Sequence, residues 1–337
     1  MTAAGGPILV MGAGSIGCFL GGMLAAAGLE VHFVARPRVL TDLQSAGLRV
    51  SDLEGRDHRI EPAALHLHPA PPPGITPALT LLCVKSGATA EAAAQLGAVL
   101  PAGSVVISMQ NGVGHAERAH AVAPGLTVLP GMVPFNVAEL APGHFHRGTG
   151  GALATQAHAA LDAVAQAFET QGLKLKQHAN LAAVQWGKLL INLNNPVNAL
   201  SGRPLREELM QRGYRRCFAA LQAEGLEVLA AAGITPAQVL ALPPQKFIKV
   251  LRLPTFALRL IARKMLDIDP KARSSMADDL SLGRKTEIDA LCGALVELAR
   301  KHGLSAPLNE RMQALVHACE QRPRSYSPAE LIKALQR

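Results

Sequence analysis

The first forty residues constrain this chain more than any other stretch. Ile8-Leu9-Val10-Met11 is an apolar run of strand length that feeds directly into Gly12-Ala13-Gly14-Ser15-Ile16-Gly17, a G-x-G-x-x-G turn. A helix-compatible run from Cys18 to Ala27 follows, with Gly28 as its stop. A second short strand, Val31-His32-Phe33-Val34, then ends at Ala35-Arg36. Glycines in such a turn let backbone approach a pyrophosphate, which sits at the positive end of the following helix. Gly12, Ala13, Gly14, Ser15, Ile16 and Gly17 are therefore the expected dinucleotide contacts. At the end of the second strand a carboxylate suits a ribose 2′-hydroxyl, whereas an arginine suits a 2′-phosphate. Arg36 stands there, with Arg38 as a helper, and predicts NADP(H) rather than NAD(H); the plain alternative is a solvated arginine.

At 337 residues the chain exceeds the usual size of one core, so two domains are expected. The opening span from Thr2 to Leu29 is uncharged, but glycine and proline interrupt it repeatedly. It reads as a buried parallel strand and its packed helix, with no membrane segment. Cys18, Cys83, Cys217, Cys292 and Cys319 are scattered with no C-x-x-C pair, which fits reduced thiols in a cytoplasm and offers no zinc site. The formal charge of +8 raises nucleic acid as a partner. However, the densest basic stretches, Arg203 to Arg216 and Lys246 to Lys271, are interleaved with Leu, Ile, Phe and Glu and read as amphipathic helix faces. A modest positive field suits an anionic cofactor and a small anionic substrate instead.

From Ile8 to about His178, short β-like runs alternate with alanine-rich helical ones. The expected strands are 8–11, 31–34, 79–84, 104–108, 127–129 and 173–177, with helices over 89–99 and 158–171 among them. This alternation predicts a mostly parallel sheet covered on both faces, of Rossmann type, with ligands at the carboxyl ends of its strands. The proline-rich run 69–74 is a loop. Beyond about Asn180 the strand signals stop, and helical patterns run over 182–193, 206–232, 236–240, 245–266, 275–302 and 307–320. The expected organisation is an α/β domain over 1–180 and an all-helical domain over 181–337. The apolar helices around Phe247 to Leu266 form either that domain's core or a homodimer contact.

Four stretches bring polar groups into apolar surroundings. Cys83-Val84-Lys85-Ser86 ends a strand where the ligand crevice opens. Gln110-Asn111-Gly112-Val113-Gly114 follows another strand; its asparagine can orient a nicotinamide amide or a substrate carbonyl, or simply make an N-G turn. In Trp186-Gly187-Lys188-Leu189-Leu190-Ile191-Asn192-Leu193-Asn194-Asn195-Pro196, helical spacing puts Lys188 and Asn192 on one face. The lysine either serves a ligand or snorkels to water, but a cluster of asparagines is poorly suited to a helix interior. The fourth stretch runs from Ser274 to Asp289, includes Thr286-Glu287-Ile288-Asp289, and on spacing alone is a charged helix with a serine cap.

These stretches, in this order behind the glycine turn, resemble the ketopantoate reductase (2-dehydropantoate 2-reductase) family over nearly the whole chain. That family carries G-x-G-x-x-G, an N-G-x-G turn, a K-x-x-x-N segment and an S-S-M-x-x-D…T-E-I-D segment. The resemblance implies a helical second domain like that of 6-phosphogluconate dehydrogenase. It also implies an enzyme reducing 2-dehydropantoate to pantoate with NADPH, a step toward pantothenate and coenzyme A. Carried over by position, Lys188 matches the general acid and Glu287 the catalytic and cofactor-contacting glutamate. Asn111 contacts cofactor and substrate, Asn192 and Ser275 hold the substrate, and Lys85 lies near a cofactor-binding lysine. The chain departs from the pattern in one place. The family commonly has an asparagine eight after the lysine and directly before proline, but here that position is Pro196 itself. Asn195 keeps the place before proline and is the expected substrate contact, although Asn194 could equally supply the side chain. A further family asparagine is replaced by Ser201-Gly202-Arg203-Pro204. These changes keep a second reading in view, an NADPH-dependent reductase of another 2-oxo acid. A non-catalytic NADPH sensor is the reading from a different class. No metal is expected, because an ammonium can polarise a carbonyl unaided.

Overall fold

Strand β1 (Ile8–Met11) is buried along its whole length, and its alternate residues point into two separate cores. Ile8 and Val10 pack with Phe19, Leu20, Met23 and Phe33 on one side, while Leu9 and Met11 pack with Leu82 and Leu96 on the other. Burial on both faces is what a central parallel strand requires, and it explains why this run has no polar alternation. The computed structural model describes residues 6–261 and 272–336. They fall into two compact units, one ending at Leu181 and the other starting at Ala182.

The first unit continues with α1 (Ser15–Ala26), β2 (Val31–Val34), α2 (Pro37–Ala46), β3 (Leu48–Asp52), β4 (Asp57–Ile60), β5 (His66–His68) and β6 (Leu79–Leu82). Then come α3 (Thr89–Val99), β7 (Val105–Ser108), α4 (His115–Val122), β8 (Thr127–Met132), β9 (Val137–Ala141) and β10 (His144–Arg147). β11 (Leu153–Gln156), α5 (Asp162–Thr170) and β12 (Leu175–His178) complete it. The main sheet has the order β12-β11-β8-β7-β6-β1-β2-β5. It is parallel from β5 through β8, and β11 joins antiparallel to β8. The chain leaves β1 toward β2 on one side and returns to β6 on the other, so the topological switch lies beside β1, where α/β sheets bind ligands.

The alternating pattern did not announce a second sheet, β4-β3-β10-β9. Its strands read LRVSD, DHRI, VAELA and HFHR, too polar to stand out as strands. Asp52 and Arg147, both buried, hold β3 to β10 as an ion pair of 3.1 Å, and Arg56 adds a second contact to Asp52 at 2.7 Å. Buried charges persist only when paired in this way.

The second unit is helical: α6 (Leu181–Asn192), α7 (Asn194–Ser201), α8 (Leu205–Met210), α9 (Arg212–Ala231), α10 (Pro244–Arg252), α11 (Thr255–Ile261) and α12 (Ser275–Ser281). A π-helical turn, Asp289–Gly293, then leads into α13 (Ala294–Lys301), followed by α14 (Pro307–Gln321) and α15 (Pro328–Gln336). Residues 236–240, expected as helix, are irregular, and the expected helix over 206–232 breaks at Gln211. The pattern over 245–266 breaks before Thr255, and its last residues lie outside the described ones. Arg215 is fully buried within the basic stretch 203–216. It donates to the carbonyls of Leu209, Leu251 and Leu253 at 2.7, 3.0 and 2.7 Å, closing the ends of α8 and α10. That charge serves the fold. Among the described residues no helix is long and apolar enough to cross a membrane.

Candidate active site

Four loops leave the carboxyl ends of the adjacent strands β7, β6, β1 and β2, and each carries an expected ligand contact. The glycine turn after β1 is shaped by close approach. Gly12 has φ +100°, and a Cβ there would lie 2.8 Å from the backbone nitrogen of Val84. At Gly17 a Cβ would lie 2.3 Å from the Gly12 oxygen, so even alanine would push α1 off the turn. Gly14 is the opposite case: a Cβ there would meet nothing within 4 Å. The open side of the turn therefore faces the start of α1, whose first turn has no side-chain cap. Unclaimed helix N–H groups beside an uncrowded glycine suit a pyrophosphate. Ala13 is buried, and Ser15 and Ile16 form the first turn of α1.

Arg36 is the exposed N-cap residue of α2 and makes no ion pair among the described residues. Arg38, the expected helper, is engaged otherwise. It reaches Asp42 at 2.9 Å and clasps Glu139 at 3.1 and 3.0 Å. Lys85 is exposed and opens a short 3-10 turn after β6.

Asn111 lies in the turn between β7 and α4, where Gly112 (φ +96°) and Gly114 (φ +78°) take conformations other residues avoid. Its neighbour Gln110 is buried and fully used. The Gln110 amide donates to Val84 O at 2.9 Å and Thr89 Oγ1 at 2.8 Å, and its carbonyl accepts from Ser108 Oγ at 2.7 Å. Gln110 therefore ties the Asn111 turn to the loop carrying Lys85.

In the helical unit, Lys188 and Asn192 lie one turn apart on α6, both half-buried. Burial pushes the Lys188 ammonium down from 10.5 to about 8, and the Glu287 carboxylate opposes the shift. The helix stops at Asn192, Leu193 intervenes, and α7 restarts at Asn194. This restart separates the two asparagines left open by the sequence. Asn194 is buried and donates to Glu208 Oε2 at 3.0 Å. Asn195 is half-buried, and its backbone oxygen accepts from Ser274 Oγ at 3.2 Å. The Ser274 hydroxyl also accepts from Ala277 N at 3.2 Å, capping α12 and setting exposed Ser275 at its first position. Asn198, fully buried, accepts from Ser274 N at 2.9 Å and donates to Arg203 O at 2.9 Å, fixing α7 to α12.

Glu208 and Asn198 were not singled out by sequence; Glu208 looks like one charge among many in RPLREEL. Burial pushes the Glu208 carboxyl up to about 8, outweighing the Asn194 and Asn198 amides. Its Oε1 and the Asn194 Oδ1 are both buried without a partner among the described hydrogen bonds. Burial favours the protonated form of Glu208, in which one carboxyl oxygen becomes a donor.

One group among the described residues has metal-like spacing, Glu30, His32 and His66. Both His32 ring nitrogens are engaged, by His68 at 3.0 Å and Glu30 at 2.8 Å. The His32 and His66 rings stack at 4.6 Å and 8°. Imidazole binds a metal in its ring plane, so two parallel stacked rings do not converge on one ion.

A family model described as ketopantoate reductase PanE/ApbA matches residues 8–160, and its C-terminal counterpart matches residues 180–320. A 2-dehydropantoate 2-reductase of Halobacterium salinarum is 29% identical over 329 residues, covering 93% of this chain and 98% of the relative. One from Archaeoglobus fulgidus is 27% identical, covering 93% and 97%. Among solved structures, a PanE/ApbA family ketopantoate reductase from Ralstonia eutropha superposes with a TM-score of 0.79 at 27% identity, covering 96% of this chain and 99% of that one. A D-mandelate dehydrogenase with NADH and anilino(oxo)acetate shares the fold at 20% identity, with a TM-score of 0.78 and coverage of 95% and 99%.

Proposed function

The chain belongs to the ketopantoate reductase family, and from that membership we propose that it reduces 2-dehydropantoate to pantoate with NADPH. The observation that carries the reading is the face of α6. There, Lys188 has its ammonium brought down to about 8, within the electrostatic reach of Glu287 and one helical turn from Asn192. A surface lysine that merely snorkels keeps its ordinary value.

Bound NADPH supplies the hydride equivalent that reaches the C2 carbonyl carbon. The chain's own residues do the rest. Lys188 donates a hydrogen bond to the carbonyl oxygen and then its proton as negative charge develops there; positioned acid catalysis of this kind contributes about 10²–10⁴-fold. Asn111 and Asn192 orient the substrate, which shortens the search for a reactive geometry. Ser275, free of the capping task that Ser274 performs, donates to the substrate carboxylate. Glu287 binds a substrate hydroxyl or the cofactor ribose and keeps Lys188 oriented. Asn195 reaches the distal end of the substrate, since Asn194 is committed to Glu208. On the nucleotide side, the turn Gly12–Gly17 with Lys85 holds phosphates, and Arg36 pairs with the 2′-phosphate.

The shortened segment before Pro196 favours a second reading, reduction of a different 2-oxo acid by the same machinery. NADPH oxidation followed with a panel of 2-oxo acids tests both. The expected outcome is the highest kcat/KM with 2-dehydropantoate. A preference for an acid lacking its hydroxymethyl group selects the second reading, and tight NADPH binding with no turnover on any acid overturns both.

A further inference from the structure

Glu287 lies in a short segment, Thr286–Asp289, that follows α12 and ends on Asp289, the first residue of the π-helical turn leading into α13. One face of α14 grips that segment at both ends. Gln313, His317 and Glu320 are spaced i, i+4 and i+7, so they project from the same side of the helix. Glu320 Oε1 accepts from both the backbone nitrogen and the hydroxyl of Thr286, each at 2.7 Å. Asp289 Oδ1 accepts from Gln313 Nε2 at 2.6 Å and is 2.7 Å from His317 Nε2. The other imidazole nitrogen lies 3.1 Å from Glu320 Oε2. The contacts close into a ring, Thr286–Glu320–His317–Asp289, that brackets Glu287 from both sides.

Burial works against charge on His317, but its bonds to Glu320 and Asp289 prevail and raise its pKa. Glu320 is likewise opposed by burial and held low by Thr286 and His317. A protonated ring between two carboxylates donates from both nitrogens, which suits the clamp. The exposed members add little to global stability. Their effect is geometric, because the turn cannot rotate without breaking charge-assisted bonds at each end. The π-helical turn that Asp289 opens marks a helix shaped for placement rather than regularity.

We propose that Glu320, backed by His317 and Gln313, is the positioning residue for Glu287, holding the Thr286–Asp289 turn so that the carboxylate stays within reach of the Lys188 ammonium. The inference rests on Lys188 and Glu287 forming the catalytic pair.

Two variants and two readouts test it. Glu320→Ala removes both acceptors, whereas Glu320→Gln keeps a carbonyl oxygen for Thr286. In turnover with NADPH and 2-dehydropantoate, Glu320→Ala should lose about tenfold to a hundredfold, mostly in kcat, the scale expected of a misplaced group. Glu320→Gln should recover to within about threefold, as retention of the Thr286 bonds requires. Independently of any substrate, the Lys188 titration followed by NMR of labelled lysine should move to lower pH in Glu320→Ala and return in Glu320→Gln. An unmoved Lys188 titration in folded Glu320→Ala overturns the proposal, even if activity falls. If wild-type enzyme turns over no 2-oxo acid, the functional reading fails while the titration still decides the clamp. Should Glu320→Ala fail to fold, Thr286→Val removes one of the two bonds and carries the same titration test.

Discussion

The sharpest prediction concerns the alkaline limb of the pH–rate profile. Burial lowers Lys188 from 10.5 to about 8, which corresponds to about 3 kcal/mol of differential stabilisation between its two protonation states. A general acid must carry its proton before the reaction. With a midpoint near 8, the ammonium fraction falls from about nine-tenths at pH 7 to about one-tenth at pH 9. The expected consequence is a roughly tenfold drop in kcat/KM over that interval. An ordinary lysine would remain more than about 95% charged at pH 9 and give a flat profile. The assay is initial-rate NADPH oxidation with 2-dehydropantoate across pH 6 to 10, in wild type and in Lys188→Arg. Arginine keeps a donor at the site but does not titrate in this range. Lys188→Arg should therefore be slower by about a hundredfold, with its alkaline limb abolished. A wild-type profile flat to pH 10, or an unchanged limb in Lys188→Arg, would refute the assignment.

Three further outcomes follow from neighbouring features. Arg36→Ala should weaken NADPH binding by roughly tenfold to a hundredfold and leave NADH binding nearly unchanged, as loss of one charge-assisted contact implies; equal losses in a fluorescence titration would show that Arg36 does not read the 2′-phosphate. Glu208, raised from 4.5 to about 8, keeps its proton in the native state where the unfolded chain has released it. Its contribution to stability is complete below pH 4.5 and is lost as pH rises through 8, by up to about 5 kcal/mol. Denaturant unfolding at the two ends of that window should show the decline in wild type and a flatter response in Glu208→Gln; parallel slopes would contradict a protonated Glu208. Finally, Asn194→Ala should cost roughly 1–3 kcal/mol of stability by stranding Glu208, whereas Asn195→Ala should raise KM for the 2-oxo acid with little change in melting temperature. The reverse pattern would exchange their roles.

The sequence made the central strands and the glycine turn legible because each is dictated locally. Ile8–Met11 must be buried on both faces, and Gly12 and Gly17 sit where no Cβ fits. Thr89–Val99 stood out equally well as an alanine-rich run between strands. The small sheet was hidden because Asp57–Ile60 and His144–Arg147 show no apolar alternation, and buried Arg147 is tolerated there only through Asp52, distant in sequence. Gln211 interrupts a helical pattern whose apolar periodicity continues across it, so α8 and α9 read as one element. Asn194 and Asn195 were equivalent in sequence; only the restart of α7 after Leu193 turns one toward Glu208. The α14 face that grips the Glu287 turn had no local signature, since Gln313, His317 and Glu320 look like ordinary surface residues until Thr286 and Asp289 meet them.

The Gln110 amide bears on how quickly this molecule can capture its ligands. Because one buried side chain bonds Val84, Thr89 and Ser108 together, the loops bearing Lys85 and Asn111 lose their conformational entropy when the chain folds. On the proposed function, a nucleotide arriving there meets a rim that is already ordered, so less of its association free energy goes to freezing loops. Loosening that rim would show first as slower, weaker encounter with every nucleotide, reduced or oxidised alike, before any change in the chemical step.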